Sequence, residues 1–107
     1  MFKVEEKATA VAGQVLLAIQ RPRRGHADLV DEFRRAAASM ALNTAEGCRR
    51  VGADRRQFLR VASGSAAEAS VALKLLRVVG VVPAEQAAAI EAGLDEVRAM
   101  LYGLGRR

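Results

Sequence analysis

Arginine side chains are the residues of this sequence whose number and spacing point most clearly to a chemical role. Residues 21–60 contain ten basic and five acidic side chains, whereas the rest of the chain contains seven of each, so the net charge of +5 arises in this stretch. A localised excess of guanidinium groups attracts phosphate backbones or acidic partners. We predict nucleic-acid contact for eight arginines of this stretch, which are Arg21, Arg23, Arg24, Arg49, Arg50, Arg55, Arg56 and Arg60.

The scarcity of aromatic residues limits how this surface can contact nucleic acid. The aromatic residues are Phe2, Phe33, Phe58 and Tyr102, and we expect Phe33 and Phe58 in the core. Because bases commonly stack on aromatic rings, we expect contact with phosphates rather than sequence readout. The alternative is an incidental charge that keeps the surface soluble. Three later arginines, accompanied by acidic residues, are expected to matter less, and they are Arg98, Arg106 and Arg107.

No combination of residues predicts catalysis or metal binding. His26 is the single histidine, and one histidine with one cysteine does not make a zinc site. Neither the Glu-x-x-His motif of di-iron bundles nor a glycine-rich phosphate loop occurs in the sequence. Cys48 is interpreted as a small filler, although the adjacent Arg49 and Arg50 could instead lower its pKa and make it reactive. We therefore expect no enzyme activity, no catalytic residue, no metal and no cofactor.

The cysteine count and the first residues bear on location. With Cys48 alone, no disulfide can form within the chain, which fits a reducing compartment. Residues 1–20 carry Glu5 and Glu6 and lack a continuous apolar run, so they resemble neither a signal peptide nor a membrane span. We expect a cytoplasmic protein without a membrane partner.

Four amphipathic helices must position the arginines. Apolar residues recur at steps of three and four, which is the period of a helix with one buried face. In a single domain of 107 residues, this pattern predicts helices at about 3–20, 27–46, 54–79 and 83–104. Short connections favour an all-α, up-down-up-down antiparallel four-helix bundle. The clearest stripe belongs to the fourth helix and consists of Pro83, Ala87, Ile90, Leu94, Val97, Leu101 and Leu104.

Turn residues predict how the helices begin and end. We expect Gly47 to follow the second helix in the left-handed conformation, and Gly80 to do the same after the third. Asp54 is predicted to cap the third helix, with Gln57 reaching back to it. Pro83 is suited to the first turn of the fourth helix.

Small and polar residues inside the helices predict close packing. A glycine within a helix costs about 1 kcal/mol relative to alanine, which is tolerable where two backbones approach closely. We therefore interpret Gly64 and Ser65 as a contact point within the bundle or between subunits, with a kink as the alternative. Asn43 and Thr44 are interpreted as a buried polar pair whose hydrogen bonds are satisfied.

The third helix also predicts self-association, because its apolar and small residues occupy more than one face. These residues are Val61, Ala62, Ala66, Ala69, Val71, Leu73, Leu75 and Leu76. One bundle core needs only one face, so we expect the second face to meet another subunit.

A combined motif across the two central helices resembles the bacterial four helix bundle protein family. Its residues are Arg34, Arg35, Ser39, Asn43, Glu46, Gly47, Phe58, Gly64, Ser65 and Glu68. That family includes proteins encoded in intervening sequences of large-subunit rRNA genes, and the accessory variability determinant of diversity-generating retroelements. We expect Glu68 to bond to another helix, with Arg34 or Arg35 as its partner.

The resemblance implies a four-helix bundle that assembles into a ring-like homopentamer with a basic surface. For the retroelement branch, it implies a non-enzymatic adaptor that binds nucleic acid and a reverse transcriptase. The alternative is an rRNA intervening-sequence protein that acts as a structural or protein-interaction oligomer with incidental charge. The residues do not choose between these branches.

Overall fold

Four α-helices make up most of the chain, and they are α1 Lys3–Ala18, α2 Ala27–Cys48, α3 Gly52–Val78 and α4 Ala84–Gly105. The computed structural model describes residues 2–19 and 25–106, and within these ranges there is no β-strand. The all-α prediction is therefore confirmed for this part of the chain. None of the described helices combines the length and apolarity needed to cross a lipid bilayer.

The helices run antiparallel, as paired contacts along them show. Ser39 of α2 bonds to Ser65 of α3, whereas Gly47, further along α2, lies against the earlier Leu59. The long dimension of 44 Å, against 22 and 20 Å across, fits helices lying along one axis, because 27 residues of helix span about 40 Å. The other neighbouring helices are antiparallel as well, because the later residue of one helix contacts the earlier residue of the next. The contacts are Glu5–Arg49 and Ile19–Arg34 for α1 and α2, Lys7–Glu96 and Val11–Gly93 for α1 and α4, and Arg60–Tyr102 and Ser70–Glu91 for α3 and α4.

Each helix contributes one apolar face to a common core. The largest fully buried side chains come from all four helices, and they include Val11, Val15, Phe33, Met40, Leu73, Leu76, Ile90 and Leu94. The predicted stripe of α4 is confirmed from Ala87 to Leu104, whereas Pro83 is exposed. Burying one such side chain is worth about 1.5–3 kcal/mol, so this core is the main source of stability.

The spacing of apolar and small residues in α3 predicts a buried stripe that is partly wrong, and its members are Phe58, Val61, Ala62, Ser65, Ala69, Ala72, Leu76 and Val79. Val61 and Val79 are exposed, and Leu59 and Leu73 are buried instead. The reason is that α3 packs against both α2 and α4. Its buried face is therefore wider than the predicted stripe and is centred on a different side of the helix. Phe58 is only half-buried rather than part of the core.

The predicted role of Gly47 is also wrong. Helix α2 continues through Gly47 to Cys48, and Gly47 does not have a positive φ. A Cβ atom at Gly47 would lie 2.8 Å from Cδ2 of Leu59 and 3.2 Å from Cβ of Phe58. Glycine is therefore required by the close approach of α2 to α3, not by a left-handed turn.

The α2–α3 turn is built differently from the predicted cap. Helix α3 begins at Gly52 after an extended Val51, and no side chain bonds to the free amides at its start. Asp54 lies inside the first turn, where its carboxylate still suits the positive end of the helix. The prediction of Asp54 as the cap is wrong, because the helix starts two residues earlier.

The predicted end of α3 is confirmed. Gly80 has φ +80, a conformation that glycine adopts without strain. The amide of Gly80 donates to the carbonyl of Arg77, and the amide of Val81 donates to the carbonyl of Leu76. These two bonds form a Schellman motif, which turns the chain into α4.

Polar residues between α2 and α3 form one connected set. The hydroxyl groups of Ser39 and Ser65 lie 2.8 Å apart, and Nδ2 of Asn43 donates to both the carbonyl and the hydroxyl oxygen of Ser39. Thr44 is buried and donates to the carbonyl of Met40. The prediction of a buried pair with satisfied hydrogen bonds is confirmed for Thr44, whereas Asn43 is hydrogen-bonded but only half-buried.

Within the chain, Ser65 makes the close contact that was predicted for Gly64 and Ser65 together. Gly64 is exposed, and a Cβ atom built there would meet nothing within 4 Å. As a contact within the bundle, the interpretation of Gly64 is wrong. A contact of Gly64 with another subunit stays a prediction.

Candidate nucleic-acid interface

The eight arginines predicted to contact nucleic acid differ in what they bind within the chain. Arg21, Arg23 and Arg24 lie outside the described residues. The other five surround the α2–α3 turn and the start of α3, and they are Arg49, Arg50, Arg55, Arg56 and Arg60. Three of these five are engaged by groups of the protein itself.

Arg49 joins the α2–α3 turn to the start of α1. Its Nη1 and Nη2 atoms donate to the two carboxylate oxygens of Glu5 at 3.0 and 3.1 Å, and Nη1 also donates to the carbonyl of Ala45. The hydrogen bonds from Arg49 lower the pKa of Glu5, and the same bonds raise the pKa of Arg49. Arg49 is therefore paired within the molecule, while its side chain remains 60% exposed.

Arg50 is held between two carboxylates and an aromatic ring. Its Nε atom lies 2.9 Å from the Glu46 carboxylate, and Nη1 lies 3.9 Å from that of Asp54. The guanidinium carbon lies over the ring of Phe58, 5.2 Å from the centroid. Arg50 thus covers one side of the Phe58 ring and is paired with two carboxylates, while its side chain remains 45% exposed.

Arg55 serves as a cap for the end of α2. Its Nε and Nη2 atoms donate to the carbonyl oxygens of Gly47 and Cys48, each at 3.2 Å. Its guanidinium also lies over the ring of Phe2, 5.4 Å from the centroid. These bonds supplement the backbone amides of Arg49 and Arg50, which donate to the carbonyls of Glu46 and Gly47, in satisfying carbonyls that helix ends leave free.

Cys48 is a filler beside this cap rather than a reactive thiol. Its side chain is buried, and burial together with the nearby charge of Glu5 raises the pKa of the thiol. The alternative of a lowered pKa is wrong, because burial and Glu5 outweigh the lowering of the thiol pKa by Arg55 and Arg49.

Arg56 and Arg60 are the members of the predicted cluster that face an open surface. Both are exposed, and no ion pair joins either to a carboxylate among residues 2–19 and 25–106. They border a depression of about 330 Å³ between α3 and α4. We call it the α3–α4 groove, and its lining is Arg56, Leu59, Arg60, Ser63, Leu101, Tyr102, Gly105 and Arg106.

The groove adds two residues that the sequence analysis did not select. Arg106 lies over the ring of Tyr102, with its guanidinium carbon 5.5 Å from the centroid. The expectation that Arg106 matters less than the turn stays a prediction, although Arg106 lines the groove. The available signal was the spacing of Tyr102 and Arg106, since residues four apart share one face of a helix.

The other motif residues act as ties between and within helices. Arg34 donates to the carbonyl of Ile19 at 3.4 Å, and Arg35 lies 3.6 Å from the carboxylate of Glu32. Glu68 is exposed. The expectation that Glu68 pairs with Arg34 or Arg35 is therefore wrong, because both arginines bind groups nearer to them.

Metal ligands do not gather in the part of the chain that the structure describes. No three histidine, cysteine, aspartate or glutamate side chains there are placed so that they could hold an ion. The surface chemistry of this region is instead that of guanidinium groups beside one exposed phenol ring.

The four antiparallel helices and the arginine-lined groove define a small, basic four-helix-bundle protein. The chain belongs to the 23S rRNA-intervening sequence protein family, whose family model matches residues 1–103. The expected family is thereby confirmed.

A crystal structure of a protein of unknown function from the S23 ribosomal protein family of Bacteroides thetaiotaomicron has a similar fold. It is 21% identical in sequence, with a TM-score of 0.82, and the alignment covers 97% of this chain and 99% of that one. At this identity the similarity concerns the fold alone. Comparison with curated proteins gives no match.

Proposed function

We propose that this protein is a non-enzymatic, oligomeric adaptor that binds nucleic acid through its phosphate backbone. The observation that carries the proposal is the placement of Arg56, Arg60 and Arg106 around one open groove with no acidic residue in its lining. Guanidinium groups bind phosphates strongly and displace the counterions that surround nucleic acid. Because the family name refers to 23S rRNA, RNA is the first ligand to test.

Self-association is the second part of the proposal. Helix α3 exposes a row of apolar side chains on the face away from the core, which consists of Val61, Val71, Leu75 and Val78. Gly64 lies on the same helical face, where open space surrounds it. Exposed apolar rows of this kind favour contact with a second subunit. A ring-like pentamer is the form that the resemblance implies, and the cytoplasm is the location expected from the sequence.

A structural or protein-interaction oligomer is the second candidate. It is favoured by the engagement of Arg49, Arg50 and Arg55 within the chain, which leaves fewer charges free than the sequence predicts. In its retroelement form the adaptor would bind a reverse transcriptase in addition to nucleic acid. A neighbouring reverse transcriptase gene with template and variable repeats would support that form.

A salt titration of binding separates an adaptor from a structural oligomer. Fluorescently labelled RNA and DNA are titrated with the protein at several salt concentrations, and anisotropy gives the affinity. Phosphate contact predicts a linear fall of log affinity with log salt, of about 0.7 per contact on single strands and 0.9 on duplex. Absence of binding to either nucleic acid at low salt would reject the adaptor and leave the structural oligomer.

A further inference from the structure

We propose that the α3–α4 groove holds one unpaired nucleotide of a single strand, with its base on Tyr102 and its flanking phosphates on Arg56, Arg60 and Arg106. This inference rests on the proposed function and deepens it, because it specifies single-stranded nucleic acid and names the contact site. It also adds base stacking to a surface for which the sequence predicts phosphate contact alone.

The phenol ring is available for stacking. Tyr102 is 69% exposed, although aromatic residues are scarce in this chain. Arg106 lies over the ring, so a base on the opposite face would form a stack of guanidinium, phenol and base. Stacking on an aromatic ring accepts any base, because every base has a π-face.

The floor and walls of the groove match the two parts of a nucleotide. Leu59 and Leu101 are buried beneath the opening, where they offer an apolar floor to the flat side of a base. Arg56 and Arg60, one helical turn apart on α3, form one wall, and Arg106 stands on the other side. Phosphates on both sides of the base can therefore meet a guanidinium group.

A duplex fits this groove less well than a single strand. Bases within a duplex are already stacked and paired, so they cannot reach a side-chain ring without being flipped out. A duplex would contact the arginines through its phosphates only. The groove therefore predicts that single strands bind more tightly than duplexes of equal length at the same salt concentration.

Gly105 supplies a way to close the groove without removing charge. A Cβ atom at Gly105 or at Gly103 would meet nothing within 4 Å, and neither residue has a positive φ. Gly105 lines the α3–α4 groove, whereas Gly103 lies outside its lining. Gly105→Leu should therefore fill the groove, and Gly103→Leu is its matched control.

Intrinsic fluorescence measures the predicted contact directly, because Tyr102 is the single tyrosine and the chain has no tryptophan. Short oligouridylate is titrated into the protein, and the signal is corrected with N-acetyltyrosinamide at the same oligonucleotide concentration. Labelled oligouridylate in a parallel anisotropy titration gives the affinity independently. Circular dichroism of each variant confirms that the helices remain.

The inference predicts quenching of Tyr102 that saturates together with the anisotropy. Tyr102→Ala and Gly105→Leu should each weaken binding about tenfold, as loss of one stacked base does, whereas Tyr102→Phe and Gly103→Leu should retain it. Binding without quenching, and with equal affinity for Gly105→Leu and Gly103→Leu, would reject the groove as the binding site and leave the proposed function standing. Absence of anisotropy change with any nucleic acid would reject the proposed function itself.

Discussion

Arg49 and Glu5 form a two-pronged ion pair that joins the end of α2 to the first turn of α1. Both guanidinium–carboxylate hydrogen bonds are close to 3 Å, at 3.0 and 3.1 Å. Parallel bonds of this geometry fix orientation as well as position. An arginine that the sequence assigns to nucleic acid thus has a structural partner, and the binding surface that we propose lies closer to α4.

The pair predicts a particular dependence of stability on pH. Because folding lowers the pKa of Glu5 below 4.5, its contribution is fully present above that pH and is lost as pH falls through the lower, folded value. Glu5→Gln should be less stable than wild type at pH 7, and the difference should shrink in acid. Urea unfolding at pH 7 and pH 3 measures both free energies.

Glu6→Gln is the control for this prediction. It removes the same charge from the neighbouring position of α1, where the side chain is exposed. Its pH profile should follow that of wild type. An acid-induced loss that is equal in wild type and Glu5→Gln would mean that the ion pair does not stabilise the fold.

Gly47→Ala should destabilise the protein by about 1–3 kcal/mol, as insertion of a methyl group into a packed contact does. The cause is the 2.8 Å approach of the added Cβ to Leu59. Gly13→Ala is the matched control, because nothing lies within 4 Å of its Cβ position inside α1. It should stabilise by up to about 1 kcal/mol through helix propensity. Equal signs for the two changes in free energy of unfolding would contradict this account of Gly47.

The contact between Ser39 and Ser65 predicts that removing the two hydroxyl groups costs unequal free energy of unfolding. Ser39→Ala removes a partner from both Ser65 and Asn43 and leaves the buried Ser65 hydroxyl without its bond, at a cost of about 1–3 kcal/mol. Ser65→Ala leaves the Ser39 hydroxyl with Asn43, so it should cost about 1 kcal/mol or less. Urea unfolding of both variants checks the order, and a larger loss for Ser65→Ala would contradict it.

The exposed apolar row on α3 predicts an oligomer that dissociates when charged side chains are placed in this row. Val71→Lys combined with Leu75→Lys should dissociate it, because these side chains are 57% and 49% exposed in the single chain. Leu17→Lys is the control, since Leu17 is 66% exposed on α1, a helix that packs against α2 and α4. Light scattering at micromolar concentration measures the mass. A wild-type mass of 11.4 kDa would contradict self-association.

Local patterns in the sequence were sufficient to predict the helices and much of the core. The stripe of α4 and the end of α3 at Gly80 depend on residues a few positions apart, so their spacing predicts them. Gly47 was misassigned because glycine serves equally in left-handed turns and in close helix contacts, and one sequence does not distinguish these uses.

The candidate site was less predictable because it depends on residues far apart in the chain. Glu5 and Arg49 are separated by 44 positions, and the α3–α4 groove joins Arg60 to Tyr102 across two helices. The sequence located the basic region, but the division into engaged and open arginines required the packing.

The most direct test of the account compares two double variants that remove equal charge. Arg56→Ala/Arg60→Ala changes open arginines, and Arg49→Ala/Arg50→Ala changes engaged ones. Binding of single-stranded RNA is titrated at several salt concentrations, with circular dichroism as the fold control. The account predicts that the open pair loses most affinity and that its salt slope falls by about 1.4, while the engaged pair keeps a slope near wild type. Equal losses from both variants would contradict it, because binding would then follow total charge and not the groove.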